Sequence, residues 1–158
     1  MKARLYLRNQ QRARGVNRKY LAGIIEPLLR DELRREQYAL AVYLVGPDAI
    51  ARINETHLRH EGPTDVIAFD YADSGSPALL AGDIFVCVDE AIRQAPKYKT
   101  TWQSELVRYV VHGILHLSGY DDKQRAARKN MKREEDRLMR QLASRFDFRK
   151  LEMSEQNP

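Results

Sequence analysis

Two histidines four residues apart, His112 and His116, constrain this chain more than any other feature of its sequence. They stand in the stretch His112-Gly113-Ile114-Leu115-His116-Leu117-Ser118-Gly119-Tyr120-Asp121-Asp122, whose first half reads as helix. Positions i and i+4 share one face of a helix, so both imidazoles can reach the same point. A helix presents two nitrogen ligands to a zinc ion in this way. Gly119 is free to take a positive φ, which ends the helix and turns the chain back. Asp121 and Asp122 follow at once, so a carboxylate can complete a three-ligand site. Either aspartate could serve, and the spacing favours Asp122. The competing reading is a pair of ordinary helix histidines, one buried and hydrogen-bonded, with Asp122 capping the next helix. The glycine turn and the acidic pair tilt the balance toward metal.

The 158 residues suit one compact domain able to bury a core. We take residues 1–150 as that domain and residues 151–158 as a frayed tail. With 43% hydrophobic and 31% charged residues, the chain has the balance of a soluble globular protein rather than a disordered one. No apolar run approaches the roughly 18 residues needed to cross a bilayer, so no membrane association is expected. The stretch Met1–Arg8 lacks the apolar centre of a signal peptide. A lone cysteine, Cys87, excludes an internal disulfide and fits a reducing compartment, which points to the cytoplasm. Net charge is +5, and Lys2, Arg4, Arg8, Arg12, Arg14, Arg18 and Lys19 crowd the start of the chain with no acidic residue among them. Such a field steers a protein toward polyanions, of which nucleic acid is the commonest.

Leu5 and Leu7 predict a first strand over residues 3–9. Asn17 can cap a helix to about Arg35 that Pro27 kinks or splits. Residues 38–45 form a second strand ended by Gly46-Pro47, after which Asp48 caps a helix to about His57. Val66–Phe69 reads as a third, central strand and Ile84–Val88 as a fourth, with a flexible loop over residues 71–78. A short helix starts at Asp89 and is limited by Pro96. Thr100 with Gln103 forms a capping box that opens the histidine helix, and a last helix runs from about Lys123 to Ser144. Strands followed by helices without strict βαβ repetition argue for an α+β fold with a small mixed sheet.

The histidine stretch resembles the signature of the YbeY-type endoribonucleases, H-G-x-L-H-L-x-G-Y-D-H, at ten of eleven positions counting the free ones. Upstream, Ile53-Asn54, Arg59 and Pro63-Thr64-Asp65-Val66-Ile67-Ala68-Phe69 resemble that family's L-N-x-x-x-R and P-T-D-V-L-S-F. Gly82-Asp83-Ile84, Glu105, Met131 and Glu135 match further family positions in the same order. The likeness spans roughly residues 38–140. It implies an α+β fold with a small mixed four-stranded sheet, about five helices and a zincin-like metal helix. It also implies a zinc-dependent, single-strand-specific endoribonuclease acting in 16S ribosomal RNA processing, with ribosomal RNA and the small ribosomal subunit as partners. Where the family carries a third histidine this chain has Asp122. A carboxylate is an acceptable zinc ligand, but it lowers the site's positive charge by one, weakens the Lewis acid and moves preference toward manganese or iron. Ala68 and Asp70 replace the family's serine and proline.

Three protein ligands with a fourth position open describe a catalytic zinc site, which lowers the pKa of bound water to about 7. Gly113 occupies the place where H-E-x-x-H proteases carry their general base, which argues against peptide hydrolysis. Asp121 is a candidate base or a partner that orients an imidazole, and capping of the last helix is its other reading. The resemblance aligns Arg59 with a functional arginine, and a guanidinium can grip two phosphate oxygens. His57 and His60 read as surface or RNA-contacting residues, Cys87 as a buried small hydrophobe, and Trp102 as core packing. Two alternatives stand beside the ribonuclease: a non-catalytic ribosomal RNA assembly factor with a structural metal, and a His-His-Asp metallopeptidase.

Overall fold

The computed structural model describes residues 3–58, 64–71 and 79–153, without the side chains of His57 and Leu58. After strand β1 (Arg4–Asn9) and the short β2 (Gly15–Val16) comes α1 (Arg18–Pro27), and then β3 (Gln37–Val45) and α2 (Pro47–Ile53). Next are the antiparallel pair β4 (Val66–Asp70) and β5 (Leu79–Cys87), then α3 (Val88–Gln94), α4 (Trp102–Leu117), α5 (Arg125–Arg145) and β6 (Glu152–Met153). The main sheet has the order β1-β3-β5-β4, with β1 and β5 parallel to β3 and β4 antiparallel to β5. Among the described residues the expected α+β class, the mixed four-stranded sheet and five α-helices are all present.

Local chemistry explains most boundaries. Asn17 caps α1 by accepting from the Tyr20 amide at 3.0 Å. Pro27 ends α1, and Leu28–Glu32 continue as a wider π-helical turn. The cap of α4 is Thr101, not Thr100: its hydroxyl accepts from Ser104 N at 3.1 Å. β5 begins at Leu79 rather than Ile84, because β3 pairs with it from Leu79 onward and β4 joins from Gly82. β4 is an edge strand rather than a central one. Its apolar character reflects burial of Ile67 beneath the sheet's smaller core, since it hydrogen-bonds to β5 alone. Of the residues expected to form a frayed tail, 151–153 are ordered, and 154–158 lie outside the described residues. Phe148–Leu151 form a 3-10 turn with Leu151 fully buried, and β6 pairs with β2.

One face of the sheet carries the main core. Leu40, Val42, Leu44, Leu80, Ile84 and Val86 meet Leu106, Val110 and Ile114 of α4. The other face has a smaller cluster in which Ile50 of α2 joins Val45, Ile67 and Cys87. Burial pushes the Cys87 thiol up, so it stays protonated and packs as a hydrophobe. No helix among the described residues is long and apolar enough to cross a membrane.

The approach of α4 to the sheet depends on two glycines. A Cβ at Gly113 would lie 2.8 Å from Ile84 Cγ2, and one at Gly82 would lie 2.3 Å from the Phe69 carbonyl oxygen and 2.8 Å from Leu117. Gly113→Ala should therefore destabilise by about 1–3 kcal/mol through overpacking, despite the better helix propensity of alanine. A lowered midpoint in urea with unchanged slope would show this; an unchanged or raised midpoint would mean that α4 can lift without cost.

Candidate metal centre

With its apolar side against β5 and β4, α4 turns His112 and His116 outward, and their side chains are 29% and 33% exposed. Their rings sit edge to face with centroids 4.8 Å apart. The helix then ends in a paired-bond glycine turn. Gly119 N donates to the His116 carbonyl at 3.1 Å, Tyr120 N donates to the Leu115 carbonyl at 3.0 Å, and Gly119 has φ +101°. This is the Schellman arrangement, and Tyr120 packs against the main core beyond it. The turn returns the chain over the histidines. Asp122 Oδ2 lies 3.4 Å from His116 Nε2 and 3.8 Å from His112 Nε2. The three ligand atoms fall within 4.8 Å of one another.

The donor set fits a metal. Ligand atoms at about 2.0–2.2 Å around a tetrahedral zinc lie roughly 3.3–3.6 Å apart, close to the 3.4 and 3.8 Å that separate Asp122 Oδ2 from the two imidazoles. Partial exposure of all three residues leaves a side open to water or substrate. The His112 ring is also oriented from behind. Its Nδ1 meets Glu135 Oε1 of α5 at 2.7 Å, and since an ionised carboxylate only accepts, Nδ1 carries the proton and Nε2 keeps its lone pair. Glu135 is itself buried, and Arg108 donates to its other oxygen at 2.7 Å and to Asp136 at 2.8 Å. Burial pushes the Glu135 carboxyl up, but the bonds from His112 and Arg108 outweigh it and hold it below its ordinary value. For His112 burial pulls down, while the Glu135 bond and the carboxylates of Asp65 and Asp122 hold it above its ordinary value. Protons therefore compete with a metal at this nitrogen as pH falls.

Beside the cluster opens a cavity of about 650 Å³, with His112 and Asp122 in its wall. Asp65, Glu105 and Tyr109 line the same space. Burial pushes both carboxyls up and the Tyr109 hydroxyl strongly up.

Asp121 stands outside the ligand cluster. Its Oδ1 accepts from Lys123 N at 2.9 Å, closing the turn into α5. Arg59 and His60 lie outside the described residues. Trp102 packs against the core at the start of α4. In the sequence Glu135 is marked only by its match to a family position. The Arg108–Glu135–His112 chain joins residues of two helices, and only the one-turn spacing of Arg108 and His112 on α4 hinted at it.

The sequence profile of a family described as endoribonuclease YbeY matches residues 6–143 of this chain. A protein of that name from Chlorobium luteolum is 34% identical over 122 residues, covering 77% of this chain and 86% of its own. Another from Azobacteroides pseudotrichonymphae is 32% identical over 140 residues, covering 89% and 98%. The chain belongs to the YbeY endoribonuclease family. A solution structure from Thermotoga maritima superposes with a TM-score of 0.67 at 24% identity, covering 98% of this chain and 99% of that one, and supports the fold alone. Against the YbeY pattern, Asp122 brings an oxygen to the position where a third imidazole is expected, and the chain turn delivers it within reach of both histidines.

Glu135→Gln keeps the shape but removes the charge that fixes the His112 tautomer. It should weaken metal affinity about 10–100-fold while leaving helix content unchanged. Competition against a chromophoric chelator measures this, and affinity equal to wild type would remove Glu135 from the centre.

Proposed function

We propose that this chain is a metal-dependent endoribonuclease that cleaves single-stranded RNA. The observation that carries the reading is the convergence of His112 Nε2, His116 Nε2 and Asp122 Oδ2, with His112 locked by Glu135, in a chain of the YbeY endoribonuclease family. His112, His116 and Asp122 would hold one zinc ion, and the single carboxylate makes manganese or iron acceptable too. When bound, such an ion supplies Lewis acidity toward a phosphodiester oxygen and acidifies water. Arg108 neutralises the carboxylates behind the ligands, and Glu135 keeps the His112 lone pair aimed outward. Arg59 is assigned the grip on the phosphate, where a guanidinium stabilises charge that develops in the transition state. Asp121 is assigned to shaping the turn that delivers Asp122. The substrate is ribosomal RNA of the small subunit, processed in the cytoplasm, and the net charge of +5 supports a polyanionic partner.

The reading as a non-catalytic assembly factor draws on Asp122, whose negative charge makes a bound metal less electrophilic. A peptidase reading has less support. The place of the usual glutamate base is Gly113, where even a Cβ would crowd Ile84.

Cleavage of a single-stranded RNA by metal-loaded protein, beside His116→Ala prepared identically, tests the proposal. Wild type should cut and His116→Ala should lose about a hundredfold or more. Arg59→Ala should lose about 10²–10³ in rate if it acts in the transition state as oxyanion donors do, whereas Asp121→Asn should retain most activity. Equal cleavage by wild type and His116→Ala would leave the assembly-factor reading.

A further inference from the structure

The residues from Lys123 to Arg133 include six cations, Lys123, Arg125, Arg128, Lys129, Lys132 and Arg133, and no carboxylate. All six are exposed. Within α5, Arg125, Arg128, Lys129 and Lys132 follow the i, i+3, i+4, i+7 spacing of one helix stripe. Lys132 bonds Asp136 at 3.2 Å, but Arg125, Arg128 and Lys129 make no ion pair among the described residues. The stripe also lies at the wrong end of its helix. The first turn of α5 holds no acidic residue, so these cations oppose the helix dipole and repel one another. A polyanion laid along the stripe relieves both.

The stripe leads to the metal centre. Arg128 and Lys132 line the same cavity as His112 and Asp122. Tyr98 also lines it, 69% exposed in the turn after α3, between Lys97 and Lys99. The floor carries Asp65 and Glu105, whose carboxyls repel phosphate and accept hydrogen bonds from base amino groups. Phosphates are therefore kept to the basic rim while bases face inward.

We propose that single-stranded RNA crosses this cavity with its phosphates on the Arg125–Arg128–Lys129 stripe of α5 and a base stacked on Tyr98. This gives the strand a path past His112 and Asp122, and it rests on the ribonuclease reading above. Each phosphate contact adds roughly 0.7 to the slope of log affinity on log salt for a single strand, and an aromatic platform adds stacking without sequence preference.

The experiment titrates a short labelled single-stranded RNA at several salt concentrations and then measures cleavage. One variant combines Arg125→Gln, Arg128→Gln and Lys129→Gln; a control combines Lys19→Gln, Arg30→Gln and Arg140→Gln, with the same loss of charge away from the cavity. The stripe variant should reduce the salt slope by about two and raise KM about tenfold with kcat within about twofold; the control should leave the slope unchanged. Tyr98→Ala should weaken binding about tenfold and Tyr98→Trp should restore it. Equal losses in the stripe variant and the control, or no loss in either, would overturn the path. Wild type that binds without cutting would refute the ribonuclease reading while the slopes still decide the path, and wild type that does not bind would overturn both.

Discussion

The contact between α4 and the sheet is the constraint on which the rest depends. Gly113 meets Ile84, and Gly82 lies beneath Leu117 and beside the Phe69 carbonyl. Side-chain-free backbone at these two points lets the helix settle onto the strands. That closeness buries Leu106, Val110 and Ile114 and fixes the rotation of α4. Since His112 and His116 lie one turn apart on the opposite side, fixing the rotation fixes where both imidazoles point. The glycine turn at Gly119 then determines where the chain can go next, and Asp122 arrives beside the histidines. Packing and ligand geometry are one problem in this protein.

Electrostatics gives the site its second layer. Two histidines and a carboxylate form a modest donor set, and three more charged residues stand behind them: Arg108, Glu135 and Asp136. Arg108 lets Glu135 remain ionised although buried. An ionised Glu135 in turn selects the His112 tautomer that leaves Nε2 available. Removing Arg108 leaves the buried Glu135 charge without its arginine, and removing Glu135 leaves the His112 ring unfixed. The same helix, α5, supplies Glu135 on its inner side and the basic stripe on its outer side, so it both braces the ligands and faces the polyanion proposed to reach them.

Much of this was legible in the sequence because it is local. A step of four residues from one histidine to the next, a glycine three beyond the second, and an aspartate three beyond that can be read from helix geometry and turn chemistry. The cap at Asn17 and the break at Pro27 are equally local, and the structure contains both. The misread features depend on tertiary partners. β4 looked central because apolar content does not distinguish burial beneath a core from pairing on both edges. The start of β5 is not visible in the sequence because Leu79–Ala81 draw their register from β3 alone, with β4 joining only at Gly82. Residues 151–153 look like a free end in the sequence because pairing of β6 with β2 joins residues far apart in the chain. The Arg108–Glu135–His112 chain was hidden for the same reason. By contrast, the cationic run from Lys123 to Arg133 is local and visible in the sequence, whereas its place beside the cavity depends on the packing of α5.

The proposed metal site has His112, His116 and Asp122 together holding one metal ion. X-ray absorption spectroscopy on the purified, metal-loaded chain, with the metal content of the same sample, tests it most directly. The expected result is one ion per chain with two imidazole nitrogens at about 2.0–2.1 Å and the remaining neighbours oxygen. An Asp122→Ala sample should lose affinity and keep both imidazoles. A shell containing sulfur, fewer than two imidazoles, or no bound metal would contradict the account.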